Sequence, residues 1–226
     1  MKKSRLMIAM GWALLTALVA PAAFAQPQLC ETAAATASRE SGVPLDVLLA
    51  IALTETGRQT GGQLRPWPWA ANTEGRGHWF ASRDAANAFL HDTLSRGQRS
   101  IDLGCFQVNL HWHGRHFSSP EAMLDPLNSA RYAARYLSEL YDEFGTWERA
   151  AGAYHSRTPR LAARYRARFA QMRAHVTEPT RLASMLATQT SGTTNNGFQL
   201  FSGTASGASL FPAPSQNSRP LIVLTP

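Results

Sequence analysis

The residue of this chain whose position most favours chemistry is Glu55, in the segment LTETGR. Leu48, Ile51 and Ala52 recur at spacings of three and four, so a helix would place them on one face. Glu55 continues that apolar stripe. An unpaired carboxyl group on an apolar face tends to keep its proton, and a protonated carboxyl near neutral pH can act as a general acid. In the alternative interpretation, the side chain turns to solvent or pairs with Arg58.

Other polar residues could support different chemistry. Asp102 could be a second acid for an inverting hydrolysis, although a side chain that caps a turn is the simpler interpretation.

The segment HWHGRH contains three histidines, but its spacing puts His111 and His113 on the same side only in a strand, and no carboxylate neighbours them. We therefore expect solvated or ring-stacked histidines and no metal site. Glu74, in a turn-rich segment, is expected to be solvated.

Four tryptophans lie in the segments around these candidates, and they have two interpretations. They are Trp67, Trp69, Trp79 and Trp112. Aromatic rings stack on the faces of sugars, but packing beneath a hairpin explains the same residues equally well. The sequence leaves both interpretations open.

Six helices must position these residues. They are predicted over residues 29–40, 45–56, 83–96, 126–144, 147–154 and 160–175. Pro44 suits the first turn of the second helix, and Ser82 and Thr146 are suitable N-caps. Gly97 and Gly145 are typical helix stops. The chain is thus mainly helical.

One hairpin and one tail complete the expected architecture. The segment PWPWAANTEGRGHWF, residues 66–80, indicates a hairpin with aromatic arms around a turn-rich centre. Residues 178–226 are low in complexity, rich in Ser, Thr, Gly, Asn and Pro and poor in charge, so we expect a disordered tail. The predicted fold class is an all-α domain over residues 26–177 with a small β-hairpin.

The first 25 residues have the pattern of an export signal. A positively charged start precedes an uncharged apolar stretch over residues 6–20, and Ala23-Phe24-Ala25 matches the small-x-small cleavage pattern. Because the apolar stretch is too short for a confident span, we expect a cleaved signal peptide and no stable membrane span after its removal. An uncleaved anchor is the alternative.

Charge and cysteine content agree with an exported protein. Removing residues 1–25 removes three of 22 basic residues and none of the 15 acidic ones, which leaves a net charge of +4. This modest charge favours polyanionic surroundings such as a cell wall, and we expect no nucleic-acid partner. The only two cysteines, Cys30 and Cys105, are expected to form a disulfide, because exported chains are typically oxidised.

The segments that hold the candidate residues resemble the lytic transglycosylases of the soluble-lytic (SLT) type, within the goose-type lysozyme-like superfamily. The segment GVPLDVLLAIALTETG, residues 42–57, is similar to the helix of that family that ends in Glu-Ser. Glu55 stands in the place of the sole catalytic acid, and Thr56 replaces the usual serine. The segment DLGCFQVN, residues 102–109, resembles the groove-lining G-L-M-Q-I, with Gln107 on its glutamine.

Two further segments extend the resemblance to about residues 28–170. The segment AGAYHSRTPR, residues 151–160, is similar to A-Y-N-A-G, with Tyr154 on its tyrosine and His155 in the place of its asparagine. The segment ARYAARYL, residues 130–137, looks like the packing helix of the family. The resemblance is to the small secretion-associated members, which often carry a cysteine pair, and a Cys30–Cys105 bond would clamp the first helix to the groove wall.

What the resemblance implies is a lysozyme-like fold and a peptidoglycan substrate, without cofactor or metal. Glu55 would protonate the bond between N-acetylmuramic acid and N-acetylglucosamine, and the substrate's own N-acetyl oxygen would stabilise the cation. Glu55 would then take the proton of the muramic 6-hydroxyl, which closes a 1,6-anhydro ring. The implied substrate-binding residues are Thr56, Gln107, Asn109, Tyr154 and His155. The implied location is the periplasm, with a secretion or conjugation apparatus as a candidate partner.

Two alternatives remain at this stage. The same fold could be a lysozyme-type muramidase that uses water and releases a reducing end, although a convincing second carboxylate is lacking. The chain could instead be a wall-binding or secretion-assembly factor with a weakened site, as the change at His155 and the long tail would allow.

Overall fold

The computed structural model describes residues 26–177. Seven helices run through this region: α1 (Gln26–Ser41), α2 (Leu45–Thr56), α3 (Arg83–Ser95), α4 (Leu110–His113), α5 (Pro126–Phe144), α6 (Trp147–His155) and α7 (Pro159–Thr177). Six strands accompany them: β1 (Arg58–Thr60), β2 (Gln63–Arg65), β3 (Ala70–Thr73), β4 (Arg76–Trp79), β5 (Ile101–Leu103) and β6 (Val108–Asn109). Single 3₁₀ turns follow α4 and precede α5, at Gly114–His116 and Glu121–Leu124.

The predicted fold class is confirmed: the described chain is mostly helical with small β-hairpin sheets. Local signals set the helix ends. Ser82 accepts a hydrogen bond from the Ala85 amide at the start of α3, and Asp125 caps α5 in front of Pro126. Gly145 ends α5 in the left-handed conformation, at φ 76°. The predictions for residues 1–25 and 178–226 lie outside the described residues.

Helix α2 forms the centre of the core, which explains its almost continuous apolar sequence. Every side chain from Val47 to Leu53 is at most 1% exposed. Helices α1, α5 and α7 pack around it, and α6 lies between α5 and α7. Arg173 of α7 ties this arrangement together by donating at 2.6 Å to both Asp46 of α2 and Glu148 of α6. A helix enclosed on all sides holds its last turn, and therefore Glu55, in a fixed position.

The β structure is larger than the single hairpin that the sequence predicts. The predicted hairpin is β3–β4, whose turn residues Glu74 and Gly75 both have positive φ. Strands β5 and β6 extend it to a four-stranded sheet in the order β4-β3-β5-β6. A separate hairpin, β1–β2, follows α2. The sequence did not predict β5 and β6, which are followed directly by the short helix α4.

The turn between β5 and β6 depends on Gly104. Its φ is 72°, and a Cβ atom there would lie 3.0 Å from the carbonyl oxygen of Met123. A side chain would be strained by both the backbone angle and this contact. The close approach brings the sheet against the segment that leads into α5. Among residues 26–177, no helix combines the length and the apolar character needed to cross a membrane.

Candidate active site

A cleft of about 370 Å³ lies between the four-stranded sheet and the helical part of the domain. The sheet side contributes Asn72, Glu74, Gly75, Ser100, Asp102, Gln107, Val108, Asn109 and Trp112; the helical side contributes Glu55, His113, Tyr132, Tyr136, Tyr154, His155, Ser156 and Leu161. The C-terminal turn of α2 therefore meets the edge of the sheet here. Four of the five residues predicted to bind substrate line this cleft together with Glu55, and Thr56 does not.

Glu55 is the chemically distinctive group of the cleft. It lies in the last turn of α2, partly buried, where the apolar stripe of that helix reaches the cleft. Burial raises the pKa of the Glu55 carboxyl to about 8, the nearby charge of Asp102 raises it further, and a hydrogen bond from Tyr165 opposes the rise. Near pH 7 most molecules therefore carry a protonated Glu55. The interpretation in which this side chain turns to solvent or pairs with Arg58 is wrong.

The direct partner of Glu55 is Tyr165, which sequence reasoning did not identify. Its phenolic oxygen donates to Oε1 of Glu55 at 2.6 Å, and its ring is only 8% exposed. Tyr165 lies on α7 four residues before Phe169, which is fully buried. The signal in the sequence was this apolar pair between exposed arginines, but the pattern does not indicate which residue the hydroxyl group meets.

The hydroxyl group of Tyr154 supports the cleft wall. Its hydroxyl donates to the carbonyl oxygen of Phe106 at 2.9 Å. Phe106 immediately precedes Gln107, so this bond holds α6 against the turn that carries Gln107. His155 stacks on Tyr165, with ring centroids 4.8 Å apart and ring planes 9° from parallel. Burial lowers the pKa of His155, which keeps the imidazole neutral near pH 7.

Gln107 is held rigidly at the edge of the cleft. Its φ of 45° is unusual for a residue with a side chain. Its side-chain nitrogen Nε2 donates to the carbonyl oxygens of Gly104 at 3.0 Å and Ala70 at 3.3 Å. The side chain is thereby tied to its own turn and to β3, and its position does not depend on a bound molecule.

Three polar residues form a row across the sheet. Asn72 of β3 pairs with Asp102 of β5, which pairs with Asn109 of β6, and all three line the cleft. The Asn109 amide donates to Asp102 Oδ1 at 2.7 Å, while its Oδ1 accepts from the Trp112 amide. Burial raises the pKa of Asp102 to about 6, and the bond from Asn109 opposes the rise. The expectation that Asp102 caps a turn is therefore wrong.

Thr56 lies behind the cleft and not on its wall. It is 1% exposed, and its hydroxyl donates to the carbonyl oxygens of Ala52 and Cys105 and accepts from the amide of Trp67. Its placement gives no support to the predicted contact with substrate. The hydroxyl instead joins the end of α2, the β5–β6 turn and the segment that leads into β3.

The predicted disulfide is confirmed. Cys30 of α1 and Cys105 are bonded, with their Cα atoms 5.7 Å apart, across 75 positions of sequence. Both residues are buried, and Cys105 lies two positions before Gln107. The bond therefore fixes α1 to the turn that forms one wall of the cleft.

The structure supports packing for two of the four tryptophans and leaves sugar stacking a prediction for Trp112. Trp69 is 7% exposed, and Trp67 donates from its indole nitrogen to the carbonyl oxygen of Phe80, so both are packing residues. Trp112 lines the cleft and is 67% exposed. Trp79 is partly exposed on β4 and does not line the cleft.

The histidines of the HWHGRH segment contact aromatic rings. His113 Nδ1 lies 2.5 Å from the hydroxyl of Tyr132, His116 packs against the same ring, and His111 contacts Trp112 edge-on. Within residues 26–177, no group of three His, Cys, Asp or Glu side chains has the arrangement of a metal site.

Comparison with known protein families matches one part of this chain. Residues 82–175 match the family model of the transglycosylase SLT domain. This part of the chain therefore carries the domain of peptidoglycan lytic transglycosylases, which are enzymes that cleave glycosidic bonds. Comparisons with curated proteins and with solved structures found no match.

The matched segment covers only part of the cleft. It includes Gln107, Asn109, Tyr154, His155 and Tyr165, whereas Glu55 and Cys30 precede it. The role of Glu55 therefore rests on its geometry, and the assignment to a secretion-associated subset stays a prediction.

Proposed function

We propose that residues 26–177 cleave the β-1,4 bond between N-acetylmuramic acid and N-acetylglucosamine and leave a 1,6-anhydromuramic end, with Glu55 as both acid and base. One observation carries this proposal: Glu55 faces the cleft with a pKa raised to about 8 and a single short hydrogen bond from Tyr165. A carboxyl group that is protonated at neutral pH can donate to the leaving oxygen.

The Tyr165 contact suits both halves of the reaction. While Glu55 is protonated, the tyrosine hydroxyl orients the carboxyl group through Oε1. When Glu55 has given its proton to the bond oxygen, the same hydroxyl stabilises the carboxylate, since hydrogen bonds to an ionised acceptor are stronger. The carboxylate then takes the proton of the muramic 6-hydroxyl, whose oxygen bonds to C1, and the acid is regenerated without water.

The sheet side of the cleft supplies rigid polar groups to hold the sugars. Asn72, Asp102 and Asn109 form one row, and Gln107 is fixed beside it by two backbone carbonyls. Trp112 offers an exposed aromatic face at the same edge. Preorganised groups of this kind reduce the loss of entropy when the substrate is oriented.

A muramidase is the second candidate, because Asp102 lines the same cleft as Glu55 and its charge acts on Glu55. In that mechanism Asp102 would activate a water molecule on the opposite face of the sugar. Against it, Asp102 Oδ1 already accepts a 2.7 Å hydrogen bond from Asn109, so this oxygen is not free to activate a water molecule.

The test is digestion of purified sacculi with the folded domain, followed by mass measurement of the released fragments. Anhydro ends, lighter than reducing ends by one water, support the transglycosylase. Reducing ends would establish the muramidase instead. Binding to sacculi without any release would favour the wall-binding or assembly factor and would contradict both enzymes.

We propose further that the chain works in the periplasm, where it opens the wall for a secretion or conjugation apparatus. The export-signal pattern of residues 1–25 and the resemblance to small secretion-associated members support this. Fractionation of cells that express the full chain tests the location. Recovery in the cytoplasm with residues 1–25 intact would contradict it.

A further inference from the structure

A second cavity adjoins the cleft on its α5 side. Its volume is about 250 Å³, and Tyr132 lines both spaces. Four of its lining residues, Asn128, Arg131, Tyr132 and Arg135, lie at helical spacing on one face of α5. The remaining lining residues come from the facing segment: His116, Phe117, Ser118 and Ala122. A wall made by one regular helix gives the cavity a defined shape.

The lining of this cavity is suited to an anion. It contains two guanidinium groups, a side-chain amide, two hydroxyl groups and an imidazole, and no carboxylate of the described chain is among the lining residues. Arginine is the side chain best matched to a carboxylate, because its planar donors can form two parallel hydrogen bonds.

The two arginines are engaged to different degrees. Arg131 donates through two nitrogens to Glu40 of α1, at 2.7 Å each. Arg135 lies over the ring of Tyr132, 5.0 Å from its centroid, and its ion pair with Glu139 is long, at 3.9 Å. Arg135 is therefore oriented by an aromatic ring and only weakly neutralised, which leaves it available to a ligand.

We infer that this second cavity binds a carboxylate of the peptide that is attached to the glycan strand, while the cleft holds the sugars. The inference rests on the proposed function. A strand seated in the cleft must project its peptides outward from the muramic residues, and the cavity shares Tyr132 with the cleft. Peptide stems of peptidoglycan carry free carboxylates, whose negative charge Arg135 complements.

The test compares three synthetic glycan oligomers: one with peptide stems, one with the same stems amidated at every carboxylate, and one without peptides. For the Arg135→Gln variant we expect KM to rise about tenfold on the first substrate only, since charge-assisted hydrogen bonds are worth more than neutral ones. Arg149→Gln removes the same charge from an exposed position of α6 outside both cavities and should change nothing. An equal loss on all three substrates, or no loss, would overturn the inference.

A binding measurement separates this inference from the proposed function. The peptide-bearing oligomer is titrated against wild-type protein and Arg135→Gln by calorimetry, with the peptide-free oligomer as the reference. The carboxylate site is supported if wild type binds the peptide-bearing oligomer more tightly than the peptide-free one and Arg135→Gln does not. This result holds even if neither protein cleaves any substrate. Equal affinity of both proteins for both oligomers overturns it, whatever the cleavage assay gives.

Discussion

The hydroxyl group of Tyr165 on α7 donates a 2.6 Å hydrogen bond to Glu55 Oε1 on α2, across 110 positions of sequence. The two helices pack directly against each other in the core, so the contact is built into the fold. It gives the Glu55 carboxyl group one oriented partner where α2 reaches the cleft. The following predictions depend on this pair and on the groups that surround it.

Replacing Tyr165 by Phe should slow glycan cleavage and move its pH profile upward. The Tyr165 bond lowers the pKa of Glu55, so its removal raises that pKa, and the loss of activity at high pH should occur at higher pH. Loss of orientation should reduce kcat roughly ten- to hundredfold. Fragment release measured from pH 5 to pH 10 tests both effects. Tyr141→Phe, on the exposed face of α5, is the matched control, and a Tyr165 variant with the same profile as wild type would contradict the role.

Replacing Glu55 by Gln should abolish release of fragments from sacculi while the domain stays folded. The amide has nearly the same shape but cannot transfer a proton to the bond oxygen. Mass measurement of the digest and a circular dichroism spectrum check the two parts. Glu74→Gln changes another carboxyl of the cleft and should retain activity. Substantial cleavage by the Glu55 variant would mean that a different group is the acid.

The same substitution should stabilise the fold increasingly between about pH 4.5 and pH 8. The folded state keeps the Glu55 proton up to a pKa of about 8, whereas the unfolded carboxyl loses it near 4.5. In this window the folded state binds one more proton, so the free energy of unfolding of wild type falls as pH rises. The Glu55→Gln variant lacks this pH-dependent loss. Its free energy of unfolding should therefore rise relative to that of wild type as pH rises, by at most a few kcal/mol. Denaturant unfolding of both proteins at pH 4.5 and pH 8 measures the difference in their free energies of unfolding. The variant should be more favoured relative to wild type at pH 8 than at pH 4.5.

Replacing Asp102 by Asn distinguishes the two enzymatic mechanisms. The charge of Asp102 raises the pKa of Glu55, so its removal should shift the high-pH loss of activity to lower pH while cleavage persists. The amide oxygen can still accept the bond from Asn109, which limits structural damage. Rates across the pH range and the mass of the products are the measurements. Complete loss of cleavage would favour the muramidase, with Asp102 as the base.

Removing the Cys30–Cys105 bond by a double Cys→Ser change should destabilise the domain. The closed loop spans 75 positions, and the chain-entropy model gives about 4 kcal/mol for such a loop. Guanidinium unfolding of wild type and variant measures the change, with reduced wild type as a second comparison. Mass measurement under non-reducing conditions should find wild type two hydrogens lighter than the reduced protein. Free thiols in the exported protein would contradict the bond.

Many helix boundaries could be predicted because their signals are local. Ser82, Asp125 and Gly145 act on backbone groups within four residues, so their types and positions suffice. The extra strands could not be predicted in the same way. β5 has only three residues, and it is a strand because β3 and β6 supply its hydrogen-bonding partners from elsewhere in the chain. The β1–β2 hairpin had a signal in Gly61 and Gly62, both at positive φ, but its arms are short and polar.

In the candidate site, too, local motifs could be predicted from the sequence and contacts across the core could not. Glu55, Gln107, Asn109, Tyr154 and His155 were found from motifs, and the structure places all five at one cleft. Tyr165 was missed, and Thr56 proved to be buried behind the wall, because the sequence does not specify which group a hydroxyl meets across the core.

By itself, the sequence determined that a carboxyl group would stand on the apolar face of a helix, since periodicity is a property of neighbouring residues. Only the tertiary structure decided that this carboxyl would be held by Tyr165, influenced by Asp102 and protonated up to a pKa of about 8. Burial and charge interactions depend on distances between atoms, and here those atoms belong to segments 47 and 110 positions away from Glu55.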